Sequence, residues 1–298
     1  MPVGRFAPTP SGDLHFGSLV GALGSYLSVK VKGGIWRLRI DDLDQPRVVP
    51  GAVDRILVAL EQLGLEWDGP VLYQSARLGA YRAGIEALEA QGWIYPCSCS
   101  RKDLSATAPQ GPEGPIYPGT CRTGMAGTLR SYRVRTQGRI TWEDGLYGTQ
   151  ALDLNTEVGD FPVCRFDRLP SYHLATVVDE GLDGITEVVR GADLLTSTFR
   201  QLYLLDRLGQ TRPAYLHLPV AVNAQGEKLS KQTLAPGLKP EQASLELWLG
   251  LRFLDLNPPL SLRAAPVKEQ LVWGLTQGGL GALRPVKTKP LPPEVAGN

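Results

Sequence analysis

The sequence has no long hydrophobic run, and no segment approaches the roughly 18 consecutive apolar residues of a membrane-spanning helix. Its first residues, Met1 to Arg5, lead into an apolar strand and lack the charged and then apolar pattern of a secretion signal. From these two absences we expect a cytoplasmic protein that has no membrane partner.

The sequence also lacks an excess of charge of one sign. With 31 Lys and Arg against 30 Asp and Glu, its net charge is +1, so no global field attracts a polyanion. Acidic residues are nevertheless absent between Glu113 and Glu143, and this window contains Arg122, Arg130, Arg133, Arg135 and Arg139. A confined basic surface is typical of contact with nucleic-acid phosphates. The alternative is a solvated strand face whose counter-charges come from elsewhere in the fold.

Cysteine is scarce, and three of the four cysteines lie close together. These three are Cys97, Cys99 and Cys121. A local cluster fits a reducing compartment better than a disulfide framework. Residues 95–142 contain no histidine, which excludes Cys₂His₂ and Cys₃His sites within that segment. We therefore predict one structural zinc ion on the three thiolates. From the residues alone, the fourth ligand stays open between Asp103, Glu113 and water.

No internal repeat is present, and helical and strand patterns alternate instead. Leu19, Leu23 and Leu27 recur at helical spacing, and the extended run from Ile35 to Ile40 follows. Alternation of this kind predicts an α/β fold with a parallel sheet and helices on its faces. Ligands in such sheets bind beyond the carboxyl ends of the strands.

A first motif joins a strand to a helix start in the string RFAPTPSGDLHFGS, from Arg5 to Ser18. A helix N-terminus favours phosphate because its first backbone N–H groups are unpaired and its dipole is positive there. We predict that His15 donates to a phosphate oxygen, that Gly17 lets a nucleotide approach, and that Ser18 completes this catalytic turn. The alternative is that His15 only caps the helix.

A second motif, KLSKQ from Lys228 to Gln232, follows a strand. Its two ammonium groups can neutralise a departing pyrophosphate. We predict this role for Lys228 and Lys231, and ATP binding by Lys231 together with His15 and Gly17. For KLSKQ alone, an exposed lysine loop is the alternative, but the two motifs together predict a site that holds and splits a nucleoside triphosphate.

The two motifs resemble the HIGH and KMSKS signatures of class I aminoacyl-tRNA synthetases, and further strings are similar to the glutamyl branch of that family. These strings are RFAPTPSG, RIDDLDQPR (39–47), YQS (73–75), YHLA with VVD (172–179), ITEVVRGADLL (185–195) and YLHLP (215–219). The resemblance covers Arg5 to about Gln232. It implies a Rossmann-type parallel sheet, an inserted zinc-containing subdomain and a short C-terminal helical region.

The resemblance implies a glutamate pocket, with Tyr117 as the fourth zinc ligand. The pocket residues would be Arg5, Phe6, Ala7, Pro8, Thr9, Asp41, Tyr172 and Arg190. Arginines can fork onto carboxylates, and a carboxylate at residue 41 can pair with the substrate ammonium group. The family usually has glutamate at this position, so Asp41 implies a shifted ligand or a bridging water. The alternative for Arg39 to Asp42 is a strand end with a surface ion pair.

The resemblance further implies ATP-dependent activation of L-glutamate to glutamyl-adenylate, with Mg²⁺ assisting. Full glutamyl-tRNA synthetases continue through a sizeable anticodon-binding region, whereas residues 233–298 are all that follow the second motif here. This shortness is similar to the branch that glutamylates the queuosine base in the anticodon of tRNA(Asp). The expected partners of a monomeric enzyme are then L-glutamate, ATP and queuosine-containing tRNA(Asp).

Two other functions remain open. One is a truncated, discriminating glutamyl-tRNA synthetase that charges a tRNA 3′ end, and the other is a non-catalytic RNA-binding paralogue. In each case Arg133 and Arg135 are candidates for contact with tRNA phosphates, because alternate residues of a strand share one face.

The pattern divides the chain into five expected segments. Residues 1–94 form the first half of the catalytic domain, and 95–142 form an inserted zinc-binding, acceptor-type subdomain. Residues 143–235 form the second half of the catalytic domain and include the KLSKQ loop, 236–283 form a helical C-terminal region, and 284–298 form a flexible tail.

Overall fold

The structure, a computed structural model, describes residues 1–223, 225–228 and 236–296. Within these ranges the strands are β1 (Val3–Phe6), β2 (Ile35–Ile40), β3 (Leu72–Tyr73), β4 (Ile94–Cys97), β5 (Gln110–Gly111), β6 (Gly114–Pro115), β7 (Ser131–Val134), β8 (Arg139–Asp144), β9 (Gly148–Asp153), β10 (Pro162–Arg165), β11 (Glu187–Gly191), β12 (Ala214–Leu218), β13 (Val220–Val222) and β14 (Thr288–Pro290). The helices are α1 (Phe16–Lys30), α2 (Ala52–Gln62), α3 (Leu78–Ala90), α4 (Arg101–Thr107), α5 (Leu154–Glu157), α6 (Tyr172–Leu182), α7 (Ser197–Arg207), α8 (Ala243–Phe253), α9 (Val267–Thr276) and α10 (Pro293–Ala296).

Two sets of parallel strands lie side by side and form the central layer. One set has the order β3, β2, β1, and the other has the order β11, β12, β8, with β9 antiparallel at its edge. The Thr186 backbone N–H donates to the Val3 carbonyl oxygen (2.9 Å), which joins β1 to the start of β11. The predicted parallel sheet of an α/β fold is confirmed.

Helices cover both faces of this layer. On β11, Val188 belongs to a buried cluster with residues of α3, α6 and α7, whereas Val189 belongs to a cluster with residues of α1, α8 and α9. Successive residues of a strand point to opposite faces, so the two clusters lie on opposite sides of the sheet. None of the helices in the described ranges is long and apolar enough to cross a membrane.

Helix α1 packs closely on the sheet because its inner face is apolar and contains small residues. Leu19, Leu23 and Leu27 are fully buried. A side chain at Gly24 would come within 2.5 Å of Leu218 Cδ1, so glycine permits this close approach. In a β-α-β unit of parallel strands, the helix begins at the carboxyl edge of the first strand, and this places the N-terminus of α1 beside the end of β1.

A second, antiparallel sheet has the order β10, β7, β4. Two of these strands come from the region of the expected insert, whereas β10 comes from the segment assigned to the second catalytic half. A small buried cluster of Tyr95, Cys97, Leu104, Tyr117 and Cys121 lies next to this sheet. The five segment boundaries themselves remain predictions.

The C-terminal segment is attached to the body, which corrects the expected free tail for residues 284–296. Strand β14 pairs in parallel with β13. Lys289 Nζ donates to Asp255 Oδ2 (2.7 Å) and to the Phe253 carbonyl oxygen (2.8 Å). Ahead of it, α8 and α9 confirm the helical pattern expected for this region.

Candidate active site

A cleft of about 650 Å³ opens at the carboxyl ends of β1, β2, β11 and β12. Its lining includes every predicted glutamate-pocket residue: Arg5, Phe6, Ala7, Pro8, Thr9, Asp41, Tyr172 and Arg190. His15, Gly17, Ser18 and Lys228 line the same cleft. Lys231 lies outside the described residues. The sheet brings these positions together because its parallel strands all end at one edge.

The N-terminus of α1 forms part of the cleft wall. His15 is its N-cap: the Ser18 backbone N–H donates to His15 Nδ1 (3.3 Å), and the His15 backbone N–H donates to Ser18 Oγ (3.4 Å). His15 therefore caps the helix and also lines the cleft, and its contact with a phosphate oxygen stays a prediction. A Cβ at residue 17 would lie 3.0 Å from the imidazole Cε1, so Gly17 leaves room for this ring. The turn Phe16-Gly17-Ser18-Leu19 contains no acidic residue that would offset its affinity for an anion.

Arg5 is held in the cleft wall by a buried ion pair. Its Nε donates to Glu180 Oε1 (2.8 Å) and Oε2 (3.1 Å), and the side chains are only 6% and 3% exposed. Glu180 lies on α6, so a helix on one face of the sheet fixes an arginine at the end of β1. Because both partners are buried, this pair is only weakly screened by solvent.

Asp41 forms a second buried pair at the end of β2. Arg39 Nε donates to Asp41 Oδ1 (2.7 Å) and Arg39 Nη2 donates to Oδ2 (3.3 Å). Burial raises the pKa of Asp41, whereas the Arg39 guanidinium opposes that shift. The ion pair that we weighed as a surface feature therefore exists, but both of its members are buried.

Behind Arg39, the fully buried Asp179 joins several elements. It accepts hydrogen bonds from Gln74 Nε2 (2.7 Å), Arg77 Nη1 (2.9 Å) and the Tyr81 hydroxyl (2.9 Å). Arg39 Nε lies 3.5 Å from its Oδ2. This carboxylate therefore ties α3 and the end of β3 to the strand that carries Arg39 and Asp41.

Arg190, at the end of β11, is anchored by neutral acceptors. Its Nε donates to His217 Nε2 (3.2 Å), and its Nη2 donates to Thr198 Oγ1 (2.8 Å). His217 Nδ1 in turn donates to Asp144 Oδ2 (2.7 Å). Within the described residues, Arg190 Nη1 is buried and has no hydrogen-bond partner, as expected for a group that receives a ligand.

Tyr172 is the first residue of α6. The N-cap of this helix is Ser171, whose Oγ accepts from the Leu174 backbone N–H (3.4 Å). Tyr172 is 45% exposed and lines the cleft. Its contact with glutamate stays a prediction.

Lys228 reaches the cleft from the loop after β13. Its Nζ donates to Asp193 Oδ2, and Asp193 also lines the cleft. The backbone of Lys228 forms an antiparallel bridge with Val222. The first residue of the second motif is therefore positioned on the same cleft as the N-terminus of α1.

The three clustered cysteines converge around the Tyr117 hydroxyl. The sulfur atoms of Cys97, Cys99 and Cys121 lie within 4.8 Å of one another, with Cys99 Sγ 3.7 Å from Cys121 Sγ. The Tyr117 hydroxyl oxygen is 3.4 Å from Cys97 Sγ and 3.6 Å from Cys99 Sγ. Arg133 Nε donates to Cys97 Sγ (3.2 Å), and the guanidinium carbon lies 4.0 Å from the centre of the Tyr117 ring.

The other two protein side chains considered as a fourth ligand are engaged elsewhere. Asp103 Oδ2 accepts from the Ser100 backbone N–H (2.7 Å) at the start of α4. Glu113 accepts from the Ser197 hydroxyl (2.5 Å) and from Arg200 Nη1. Tyr117 is therefore the side chain of this group that the fold places against the sulfur atoms.

The arginine-rich strand differs from the prediction. Arg133 was expected to face tRNA phosphates, but it is buried between the Tyr117 ring and the Asp160 carbonyl oxygen, to which its Nη1 donates (2.7 Å). That prediction is wrong for Arg133. Arg135 is half-buried, Arg130 and Arg139 are exposed, and Arg122 pairs with Asp160. The charge of this window is therefore partly used inside the fold.

Sequence reasoning missed the buried groups that hold the two cleft arginines. Asp179 ends the quoted VVD string, Glu180 follows it directly, and His217 stands in YLHLP, but none of them was given a role. A charged pair inside an otherwise apolar helix, or a histidine inside an apolar strand, was the available signal.

Comparison with known proteins now places the chain in a family. Residues 3–242 match the family model described as tRNA synthetases class I (E and Q), catalytic domain. The chain therefore belongs to this class I synthetase family and is a ligase of the aminoacyl-tRNA synthetase type.

Curated relatives named glutamyl-Q tRNA(Asp) synthetase match most of the chain. The Aromatoleum aromaticum protein is 50% identical over 280 residues, covering 93% of this chain and 89% of the relative. The Chromobacterium violaceum protein is 52% identical over 259 residues, covering 86% and 87%. Within the family, the chain is thus similar to the synthetases of that name.

A solved structure supports the fold. The glutamate tRNA ligase from Elizabethkingia meningosepticum, determined in complex with its amino acid, matches with a TM-score of 0.78 over 99% of this chain and 68% of that chain. At 23% identity, this likeness shows the class I synthetase fold alone.

Proposed function

We propose that the protein uses ATP to activate L-glutamate as glutamyl-adenylate and then transfers the glutamyl group to the queuosine base in the anticodon of tRNA(Asp). One observation carries the proposal: a single cleft gathers the N-terminus of α1, Lys228 and two buried arginines at the carboxyl edge of the parallel sheet. The name of the relatives that are about 50% identical supports the choice of acceptor.

In the first step the glutamate α-carboxylate attacks the α-phosphorus of ATP, and the bond to pyrophosphate breaks as the new P–O bond forms. His15, Gly17 and Ser18 present the N-terminus of α1 to the phosphates, while Lys228 and Lys231 neutralise the leaving pyrophosphate. Mg²⁺ accompanies ATP as part of the substrate. Positioning and charge stabilisation drive this step, so no general base is needed.

The glutamate itself is recognised by charge. Arg5 and Arg190 take its carboxylates, while Asp41, Tyr172 and Thr9 receive its ammonium group. Desolvation in the cleft strengthens these contacts relative to water. In the second step a hydroxyl of the queuosine cyclopentenediol attacks the glutamyl carbonyl carbon, and AMP leaves.

We also propose that Cys97, Cys99, Cys121 and Tyr117 hold one structural zinc ion. A tetrahedral ion with Zn–S distances of about 2.3 Å and a Zn–O distance of about 2.0 Å needs ligand atoms roughly 3.5–3.8 Å apart. The distances of 3.7 Å between two sulfur atoms and 3.4–3.6 Å from sulfur to the hydroxyl oxygen fit that requirement. Arg133 beside Cys97 offsets part of the negative charge of such a ligand set.

Two assays separate the parts of this proposal. Glutamate-dependent exchange of pyrophosphate into ATP tests adenylate formation, and well-folded protein that shows no exchange would favour the non-catalytic paralogue. Labelled glutamate supplied with ATP and unfractionated tRNA, from strains with and without queuosine, tests the acceptor. We expect label on tRNA(Asp) only when queuosine is present. Label on the 3′ end of tRNA(Glu) from both strains would establish the truncated glutamyl-tRNA synthetase instead.

A further inference from the structure

Three buried polar side chains lie side by side on neighbouring strands behind the cleft. Arg190 on β11 is the direct cross-strand partner of His217 on β12, and Asp144 on β8 pairs with the neighbouring Tyr215. Arg190, His217 and Asp144 are 6%, 0% and 3% exposed. Arg190 is the one member of this set that lines the cleft. Polar groups this deeply buried require partners, and here each partners the next.

The Asp144 carboxylate is held by backbone hydrogen bonds in addition to its contact with His217. Its Oδ1 accepts from the backbone N–H groups of Leu146 and Tyr147 (both 2.9 Å). Its Oδ2 accepts from His217 Nδ1 (2.7 Å) and from the His217 backbone N–H (3.2 Å). An ionised carboxylate can only accept, so the His217 proton resides on Nδ1.

The other imidazole nitrogen then carries a lone pair that faces Arg190. Arg190 Nε donates to His217 Nε2 (3.2 Å), and Nη2 donates to Thr198 Oγ1 (2.8 Å). Nε and Nη2 form one edge of the planar guanidinium, so the protein occupies that edge completely. Nη1, on the other side of the group, has no acceptor among the described residues.

We propose that His217, held as its Nδ1–H tautomer by Asp144, is a positioning residue that orients the Arg190 guanidinium so that Nη1 presents its two donors to a substrate carboxylate. The proposal rests on the proposed function, in which Arg190 binds glutamate. It adds two residues, His217 and Asp144, that determine the geometry of this contact without touching the substrate.

The alternative states of the imidazole would oppose this arrangement. With a proton on Nε2, two donors would face each other across 3.2 Å, and a doubly protonated ring would place two cations in contact. Burial lowers the pKa of His217 and favours the neutral ring, although the nearby Asp144 carboxylate opposes that shift. Trp142 and Tyr215 pack on the ring with centroids 5.8 and 6.1 Å away, which holds its plane.

A matched pair of substitutions tests the role of Nε2. His217→Gln retains an acceptor near the position of Nε2, whereas His217→Asn retains only a donor toward Asp144. Losing a hydrogen bond to a charged group weakens binding by roughly 10- to 100-fold. In glutamate-dependent pyrophosphate exchange we expect His217→Asn to raise the KM for glutamate by about that factor, while kcat and the KM for ATP change less than about threefold. His217→Gln should recover most of the loss.

Two results would overturn the proposal: an unchanged glutamate KM in folded His217→Asn, or a Gln variant no better than the Asn variant. A lower kcat together with a higher KM for both glutamate and ATP would show a merely structural role. That result would also count against the proposal.

The tautomer of His217 can also be measured directly in the wild-type protein, without an activity assay. The chain has three histidines, so their nitrogen-15 resonances can be assigned in the wild-type protein. We expect a His217 ring protonated at Nδ1 and bare at Nε2, and Asp144→Asn should weaken that preference and raise the glutamate KM several-fold. Observation of the Nε2–H tautomer contradicts the positioning role whether or not the protein activates glutamate. Absence of exchange in the wild type, with the Nδ1–H tautomer present, contradicts the proposed function instead.

Discussion

Replacing Glu180 by glutamine tests whether the buried pair with Arg5 supports both the fold and the cleft. The substitution keeps the shape of the side chain and one acceptor, but it removes the negative charge that faces Arg5 Nε at 2.8 Å. Arg39 Nη1, 3.9 Å from the same carboxylate, loses part of its counter-charge as well. Two buried guanidinium groups are then left with fewer anions around them.

The expected magnitude follows from distance and burial. Two unit charges about 4 Å apart interact by about 4 kcal/mol at an effective dielectric constant of 20. Breaking a buried pair typically costs about 3–5 kcal/mol, and the amide oxygen that remains reduces this loss. We therefore expect the free energy of unfolding of Glu180→Gln to fall by roughly 2–4 kcal/mol, or by roughly 3–6 °C in Tm for a chain of this length.

The chain offers a matched control in Glu89. It pairs with Arg168 through Nη1 (2.9 Å) and Nη2 (3.1 Å), but these side chains are 46% and 34% exposed. Glu89→Gln removes the same charge from the same kind of pair in solvent, where about 0–1 kcal/mol is expected. Urea unfolding of both variants gives the comparison, and glutamate KM in pyrophosphate exchange should rise for Glu180→Gln alone. Equal destabilisation of the two variants would refute the reasoning from burial.

Three other predictions address the phosphate site, the cysteines and a buried histidine. Lys231→Ala should slow pyrophosphate exchange by about 10²–10³-fold and leave glutamate KM within about threefold, whereas equal effects on both would contradict its role at the pyrophosphate. Purified protein should contain one equivalent of zinc by elemental analysis, and Cys99→Ser should weaken its retention against a chelator; a metal-free, fully stable wild type would end the zinc proposal. Burial lowers the pKa of His173 to about 3, so the unfolded chain binds a proton below about pH 6.5 that the fold does not, and stability should fall as pH falls from 6.5 toward 3. His173→Phe should reduce that slope between pH 7 and 5 in urea unfolding, and an unchanged slope would assign it to other groups.

Much of the fold could be predicted because local patterns carried it. Helical spacing in residues 16–30 and the extended run of 35–40 predicted α1 and β2, and the alternation of these patterns predicted the parallel sheet. The candidate glutamate residues were named from the resemblance to the glutamyl branch, and parallel strands that end at one edge bring them to a single cleft. The C-terminal segment could not be predicted, because the pairing of β14 with β13 depends on two segments that are far apart in the sequence.

Arg133 shows that the strand face on which a residue lies does not determine whether its side chain is exposed. Alternation predicts that Arg133 and Arg135 share one face, but nothing local states what covers that face. The ring of Tyr117 and the backbone of Asp160 cover Arg133. For the same reason, the sequence did not show that His217 holds Arg190. The register of β12 against β11 places His217 beside Arg190, and this register is not a local property of either strand.

By itself, the sequence determined which functional groups are present: a glycine-containing helix start, lysines, carboxylate-binding arginines and three thiols. Their order is typical of class I synthetases. Only the tertiary structure decided which charges are buried and what each one faces. It pairs Arg5 with Glu180, Arg39 with Asp41, and Arg190 with His217 and Asp144. The physical reason is that residue type and spacing act locally along the chain, whereas desolvation and hydrogen-bond geometry arise only where distant strands and helices pack together.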